Sequence, residues 1–280
     1  MYRILFTIGS FSIYSYGVMI ALAFIAAILF AMKEAQKSGE DPERILDISL
    51  YVILGALIGG RLGYVVFNLD YYLANPVKIL YFRQGGLSFL GGFLVAYFLC
   101  WLYAKRTRIS FWKYSDIAAP SIALGIGIGR IGCFLNGCCF GVVSENYGIK
   151  FPSLHMPPVY LQQLKDGLIA SGSSCTLPVI PTQFYSSLYG FLIFFILLWM
   201  KRHKKYDGFL MLSFLILFSI SRFTIEFFRF YENNYQVLNL FTITQAILIG
   251  VILVSLVLMN ILKKKSKTSA ERIVVGSKSK

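Results

Sequence analysis

The chain has 280 residues, of which 57% are hydrophobic and 14% charged, and its formal net charge is +14 at neutral pH. This composition excludes an ordinary soluble domain, in which about 25% of residues are charged, and it indicates a protein that crosses a membrane several times. The positive charge would also suit a nucleic-acid-binding protein. However, the basic residues cluster beside the apolar segments, so we expect no nucleic-acid partner. No removable signal peptide is expected, because no basic region precedes a small-residue cleavage site.

Seven segments are long and apolar enough to cross a bilayer as helices, which takes about 20 residues each. They lie at residues 14–32, 47–68, 86–104, 115–134, 184–200, 208–225 and 238–262. The sequence therefore predicts an all-α polytopic membrane protein with about seven transmembrane helices. In this prediction residues 1–262 form a single transmembrane domain and residues 263–280 a basic tail. Ser115 and Asp116 are predicted to cap the fourth helix.

Lysine and arginine are unevenly distributed between the two sides of these segments. Eighteen of them lie in residues 33–46, 105–113, 201–205 and the tail after 262, whereas the alternate stretches carry six. Because basic residues accumulate in cytoplasmic loops, this asymmetry predicts an external amino terminus and a cytoplasmic carboxy terminus. The loop at 142–183 is then external. Its middle is predicted to form a short interfacial helix with Tyr160, Leu161 and Leu164 facing inward.

Chemically active groups recur near the external ends of the predicted helices. Tyr16 offers a phenol in the first helix, and Arg61 is an arginine within the second. The third begins with Gly85-Gly86-Leu87-Ser88, followed by Gly91-Gly92. These glycines either expose backbone amides to an anionic ligand or allow close helix contact, and the sequence leaves both interpretations open.

The densest group is the stretch Gly129–Gly141, which closes the fourth segment. Arg130 lies near the end of this segment with no acidic neighbour in sequence. An arginine within a membrane span costs several kcal/mol unless it is paired or hydrated, so it is a functional-site hypothesis. Glycines at positions 125, 127, 129 and 132 open one side of the helix to a neighbouring helix or to a ligand.

Cys133, Cys138 and Cys139 follow in the same stretch. Three cysteines could bind a metal or form a disulfide, but their spacing is not one of the usual zinc patterns. We therefore predict no metal site and no cofactor. An external disulfide between one of them and Cys175 is a further alternative.

The sixth segment ends with Arg222, Glu226 and Arg229, whose spacings of four and three place them on one helical face. Arg222 and Glu226 either neutralise each other or, with Arg130 at the same depth, form part of a net-positive cavity. Guanidinium groups bind phosphate bidentately, so a lipid headgroup phosphate is the expected ligand. Gln183 adds a polar group where the fifth segment begins.

Taken in order, these motifs resemble the prolipoprotein diacylglyceryl transferase family. The matching positions are Tyr16-Gly17, Gly60-Arg61-Leu62-Gly63-Tyr64, Gln84-Gly85-Gly86-Leu87-Ser88-Phe89, Gly129-Arg130-Ile131-Gly132, Phe134, Asn136, Gly141, Gln183-Phe184-Tyr185, Arg222, Glu226-Phe227-Phe228-Arg229 and Gln245. They run from the first predicted helix to the last, so the resemblance covers most of the chain.

The resemblance implies a multi-pass enzyme of the bacterial inner membrane that is monomeric. Such an enzyme moves the diacylglyceryl group of phosphatidylglycerol to the lipobox cysteine of a preprolipoprotein signal peptide, which forms a thioether and releases glycerol 1-phosphate. The catalytic residues implied are Arg130, Arg222, Tyr16 and Glu226. The substrate-binding residues implied are Arg130, Gly129, Asn136, Gly85, Gly86, Ser88, Gln183 and Arg61.

The chain departs from the family pattern at three positions. Cys133 and Cys138 replace an asparagine and a glutamate, and Leu90 replaces a histidine that is the usual candidate general base. Tyr16, a thiolate among the three cysteines, or Glu226 could take the proton instead. Two other functions stay open: a divergent paralogue with another acceptor or cysteine-based chemistry, and a non-catalytic transporter or binder of anionic lipid.

Overall fold

The structure is a computed structural model, and it describes residues 3–9, 11–81, 86–231, 236–237 and 241–278. Its helices in chain order are α1 (Ser15–Lys37), α2 (Glu43–Phe67), α3 (Leu69–Ala74), a 3-10 turn (Pro76–Leu80), α4 (Phe89–Arg106), α5 (Phe111–Asn136), α6 (Pro158–Lys165), α7 (Thr182–Lys201), α8 (Phe209–Glu226) and α9 (Ile243–Lys278). Two short antiparallel hairpins complete it, β1 (Ile4–Ile8) with β2 (Phe11–Tyr14) and β3 (Gln236–Val237) with β4 (Phe241–Thr242). The predicted helical fold is confirmed. The chain divides into two compact units, residues 28–114, and residues 1–27 with 115–280.

Six of these helices are long and apolar enough to cross a membrane, and they coincide with six of the seven predicted segments. They are α1, α2, α5, α7, α8 and the first 26 residues of α9. The remaining predicted segment, residues 86–104, forms α4, which has only 18 residues and ends in Lys105 and Arg106. The prediction of a multi-pass membrane protein is therefore confirmed. A seventh crossing, the orientation of the termini and the predicted domain boundary stay predictions; α9 continues through most of the predicted tail.

In the unit of residues 28–114, α2 packs against α4 through small residues. Gly55, Gly59 and Gly63 recur every four residues and therefore lie on one face of α2. A Cβ atom on Gly55 would lie 2.5 Å from Ala96 Cα, and one on Gly63 would lie 2.9 Å from Gly91 Cα. The absent side chains thus allow the two backbones to approach closely, as in other membrane helix pairs. Helix contact is what the structure shows for the Gly91-Gly92 pair.

In the other unit, the glycines of α5 allow contact with two neighbouring helices. Gly129 and Gly132 face α1, where a Cβ atom on Gly132 would lie 2.8 Å from Met19 Cβ. Gly127 faces α7, where a Cβ atom on Gly190 would lie 2.6 Å from Gly127 N. The glycines upstream and downstream of Arg130 therefore bring α1 and α7 close to α5 and fix where Arg130 lies.

The predicted cap of the fourth helix was wrong, because α5 begins at Phe111, before Ser115 and Asp116. Asp116 instead lies within α5 and caps a different helix. Its carboxylate accepts hydrogen bonds from the main-chain N–H groups of Gly208 at 2.8 Å and Met211 at 2.9 Å, where α8 begins. Lys204 pairs with it at 3.0 Å. This buried carboxylate joins α5 to the start of α8.

The long loop between α5 and α7 has a small apolar core. Its most buried residues are Phe151, Val159 and Val179. The predicted short helix is α6, which buries Tyr160 and Gln163. Leu161 is 44% exposed, so its predicted inward orientation was wrong. The reason is that the Gln163 amide pairs with both main-chain groups of Leu177 and thereby turns its own side of α6 inward.

Candidate active site

A cleft between α5, α7 and α8 is lined by arginines from two of the predicted transmembrane segments. Arg130 of α5 and Arg222 of α8 line it, together with Ser186 and Tyr189 of α7. Most of the remaining lining is apolar, so two guanidinium groups lie where few other polar groups can stabilise them.

Arg130 is half-buried, and its side chain makes no hydrogen bond or ion pair with any residue in the described part of the chain. A guanidinium in such a position is costly unless an anion or water satisfies its five N–H donors. The geometry therefore suits a ligand that carries a phosphate or carboxylate group.

Arg222 differs from Arg130 because it has protein partners. Its Nη1 lies 2.6 Å from Glu226 Oε2, and the two side chains are 14% and 0% exposed. Its Nη2 donates to the Tyr231 hydroxyl at 3.1 Å, and that hydroxyl donates to Glu226 Oε1 at 2.7 Å. Thr242 Oγ1 also donates to Glu226 Oε1, at 3.2 Å. Both carboxylate oxygens of Glu226 therefore contact neighbouring side chains, and its ion pair fixes the position of Arg222 at the wall of the cleft.

The predicted position of Arg229 on the same helical face was wrong, because α8 ends at Glu226. The main chain of Arg229 instead pairs with Gly141 in an isolated antiparallel bridge. Its guanidinium lies 5.4 Å from the centre of the Tyr231 ring. A turn after α8 thus brings Arg229 beside the loop that follows α5.

The start of α1 lies beside the end of α5. Tyr16 is 41% exposed, and its hydroxyl makes no hydrogen bond within the described residues. A Cβ atom on Gly132 would lie 3.5 Å from the Tyr16 carbonyl oxygen, and one on Gly129 would lie 3.4 Å from Ile20 Cδ1. Asn136 is the last residue of α5. The predicted roles of Tyr16, Gly129 and Asn136 stay predictions.

The start of α7 holds the loop that follows α5. Gln183 is fully buried, and its Nε2 donates to the Cys138 carbonyl oxygen at 2.7 Å. Thr182 Oγ1 donates to the Cys139 carbonyl oxygen, also at 2.7 Å. Gln183 Oε1 is buried and has no hydrogen-bond partner among the described residues.

The three cysteines of this loop converge. The sulfur atoms of Cys133, Cys138 and Cys139 all lie within 4.8 Å of one another, and no disulfide joins them. Hydrogen bonds from the other two thiols lower the pKa of Cys139, and the positive charges of Arg229 and Arg130 lower it further against the effect of burial. The cluster therefore lies within electrostatic range of two arginines.

The remaining predicted binding residues lie in the unit of residues 28–114. Arg61 is buried, and its guanidinium donates to main-chain carbonyls that include those of Ile79 at 2.8 Å and Gly86 at 3.1 Å. Ser88 caps α4, since its hydroxyl accepts from the Gly91 N–H. Arg61 thus joins α2 to the 3-10 turn and to Gly86. Gly85 and Gln84 lie outside the described residues.

The sequence comparisons decide the family. The sequence model of the prolipoprotein diacylglyceryl transferase family matches residues 3–261. The chain belongs to this family. Among its curated relatives are phosphatidylglycerol--prolipoprotein diacylglyceryl transferases of Bacillus cytotoxicus, 34% identical, and of Bacillus mycoides and Bacillus cereus, each 33% identical. Each alignment covers 94% of this chain and 92% of the relative. The predicted family and the prediction of a transferase are confirmed.

Four residues of this family member's site were not predicted. Tyr231 and Thr242 bind Glu226 from segments that carry no motif. Ser186 and Tyr189 line the cleft. They lie three and six residues after Gln183, and this helical spacing is the sequence feature from which their position near one face of α7 could have been predicted.

Proposed function

We propose that this chain transfers the diacylglyceryl group of phosphatidylglycerol to the lipobox cysteine thiol of preprolipoproteins. The reaction forms a thioether and releases glycerol 1-phosphate. The proposed location is the bacterial inner membrane, with the arginine cleft opening towards the external side. Family membership over nearly the whole chain and the names of the relatives support this assignment.

The observation that carries the proposal is the contrast between the two arginines of the cleft. The Arg130 guanidinium has no partner among the described residues, whereas Arg222 is fixed by Glu226 and Tyr231. A phosphodiester between them would satisfy Arg130 and would meet a second guanidinium whose position is already set. Thioether formation requires phosphate to leave a glycerol carbon, so donors that bind the departing phosphate stabilise the transition state.

The other residues of the site take supporting roles in this proposal. Glu226 positions Arg222 through the ion pair. Gln183 fixes the loop that contains Cys138, and this loop begins after Asn136 at the end of α5. For Gly86, Ser88 and Arg61, which lie in the unit of residues 28–114, the proposed substrate-binding roles rest on the family resemblance alone. The Tyr16 hydroxyl makes no hydrogen bond with any described residue.

The test is transfer by the purified full-length protein in detergent, with phosphatidylglycerol and a lipobox peptide. Mass spectrometry of the peptide should show the added diacylglyceryl group. Arg130→Ala should lower the rate by about 10²–10³-fold, the usual effect of removing one transition-state donor. Arg130→Lys should restore only part of it, because an ammonium group cannot bind phosphate bidentately. Arg202→Ala is the matched control, since Arg202 is exposed at the opposite end of α7.

Near-normal transfer by Arg130→Ala would overturn the role of Arg130. No transfer by the parent protein, with a relative active in the same assay, would overturn the proposed substrate pair. That result would favour a divergent paralogue that modifies another acceptor, and the three cysteines would be the first place to look.

A further inference from the structure

The turn after α5 brings two of the cysteines together by its main-chain geometry. The N–H of Gly137 donates to the Phe134 carbonyl and the N–H of Cys138 to the Cys133 carbonyl, each at 3.1 Å. Gly137 has a φ of +71°. These features define a Schellman motif, in which contact between the side chains at positions 133 and 138 is common. In this chain both residues are cysteines.

The third cysteine joins them because its backbone turns back. Cys139 has a φ of +59°, which is uncommon for a residue other than glycine. Its carbonyl accepts from Thr182, the Cys138 carbonyl accepts from Gln183, and the Gly137 carbonyl accepts from the N–H of Val159 at 3.1 Å. The convergence of the three sulfurs is therefore built into the backbone.

The spacing of the sulfurs is close to that of a metal site. A zinc–sulfur bond of about 2.3 Å in tetrahedral geometry puts two sulfurs about 3.8 Å apart. The three sulfurs here lie within 4.8 Å of one another, so each has to move by about 1 Å or less. Three thiolates around one Zn²⁺ carry a net charge of −1, and Arg130 belongs to the same helix as Cys133, one turn before it.

We propose that Cys133, Cys138 and Cys139 bind one Zn²⁺ ion through their thiolates and that its fourth coordination position takes the incoming thiol of the lipobox peptide. Three protein ligands with one open position are the arrangement of catalytic rather than structural zinc. The second part of the proposal rests on the proposed function. The spacing of the cysteines in the sequence argued against zinc, whereas their positions in the fold favour it.

The step balances as follows. On binding to Zn²⁺ the peptide thiol releases its proton to water and becomes a bound thiolate. A sulfur electron pair then forms the bond to the carbon of the diacylglyceryl group that carries the phosphate, as the bond from that carbon to the phosphate oxygen breaks. The electron pair of the broken carbon–oxygen bond stays on the phosphate oxygen of the departing glycerol 1-phosphate, which Arg130 and Arg222 stabilise. The thioether is a weaker ligand than the thiolate, which favours its release.

This role accounts for the departures from the family pattern. The family resemblance leads to an expected histidine base, but that position is Leu90, which cannot take a proton. A metal that lowers the pKa of a bound thiol removes the need for a strong base. The asparagine and glutamate of the pattern are replaced at positions 133 and 138, which the Schellman motif places side by side.

The first experiment measures metal binding by the full-length protein in detergent without oxygen. After exposure to zinc and removal of excess metal, elemental analysis should find one zinc per chain. Serine at position 133, 138 or 139 should weaken zinc binding at least tenfold, whereas Cys100→Ser and Cys175→Ser should leave it unchanged. Cobalt in place of zinc should give a thiolate charge-transfer band that the first three variants lose. A folded parent with no stoichiometric zinc, or with a disulfide among the three cysteines, would overturn the site.

The second experiment separates the metal site from the proposed function. A lipobox peptide should change the visible spectrum of the cobalt-loaded protein, and the same peptide with serine for cysteine should not. An unchanged spectrum would overturn the role of the fourth position. Full transfer by metal-stripped protein would overturn the zinc step but leave the proposed function intact. A bound metal and a ligated peptide without any transfer would instead overturn the proposed function and leave the metal site standing.

Discussion

Replacement of Gly137 by alanine tests whether the turn after α5 is held as tightly as the structure indicates. Gly137 has a φ of +71°, and a Cβ atom added there would lie 2.8 Å from Pro157 Cβ. The left-handed conformation costs a residue with a side chain about 1–2 kcal/mol. The close contact between the added Cβ atom and Pro157 Cβ adds about 1–3 kcal/mol for overpacking. We therefore expect Gly137→Ala to lower the free energy of unfolding by about 2–5 kcal/mol.

Gly167 provides a matched control for this substitution. It has a φ of +70°, but a Cβ atom added there would meet nothing within 4 Å. Gly167→Ala should thus cost only the conformational part, about 1–2 kcal/mol. The assay is thermal unfolding in detergent, where 1 kcal/mol corresponds to roughly 2 °C in a chain of this size. Equal melting temperatures for the two variants would refute the reasoning, because they would show that the packing of Gly137 against Pro157 adds nothing.

Three further predictions concern other buried contacts. Glu226→Gln leaves Arg222 without its buried counterion and should cost about 3–5 kcal/mol in the same unfolding assay; if Arg44→Gln, which breaks an exposed ion pair, costs as much, the burial argument fails. Asp116→Ala removes the cap of α8 and should cost at least about 2 kcal/mol, and unchanged melting would contradict it. Gly91→Val forces α2 and α4 apart, so folded protein recovered by size-exclusion chromatography should fall sharply; normal recovery would show that this contact is dispensable.

The positions of the helices could be predicted from the sequence, because hydrophobicity and length determine which segments cross a membrane. All seven predicted segments form helices, and six of them meet the criterion for a crossing. The residues that cap the helix ends were harder to predict from the sequence. Asp116 has the sequence position of a cap for its own helix, yet it caps α8, some 90 residues further along the chain. A contact of that range leaves no local signal.

The candidate site could be predicted in part. Arg130 and Arg222 were identified because charges inside apolar segments are expensive, and that argument needs no tertiary structure. The arrangement of Arg222, Glu226 and Tyr231 was out of reach, since Tyr231 lies in a turn beyond α8 whose direction depends on the pairing of Gly141 with Arg229. The glycines were ambiguous in sequence, because a missing side chain serves a ligand and a neighbouring helix equally well.

The contact between two of the three cysteines could have been predicted from a local feature of the sequence. Gly137 follows an apolar helix and predicts a Schellman motif, in which contact between the side chains at positions 133 and 138 is common. The family pattern has asparagine and glutamate there, and this chain has two cysteines. In this chain the turn therefore presents two adjacent thiols at the end of the arginine-bearing helix.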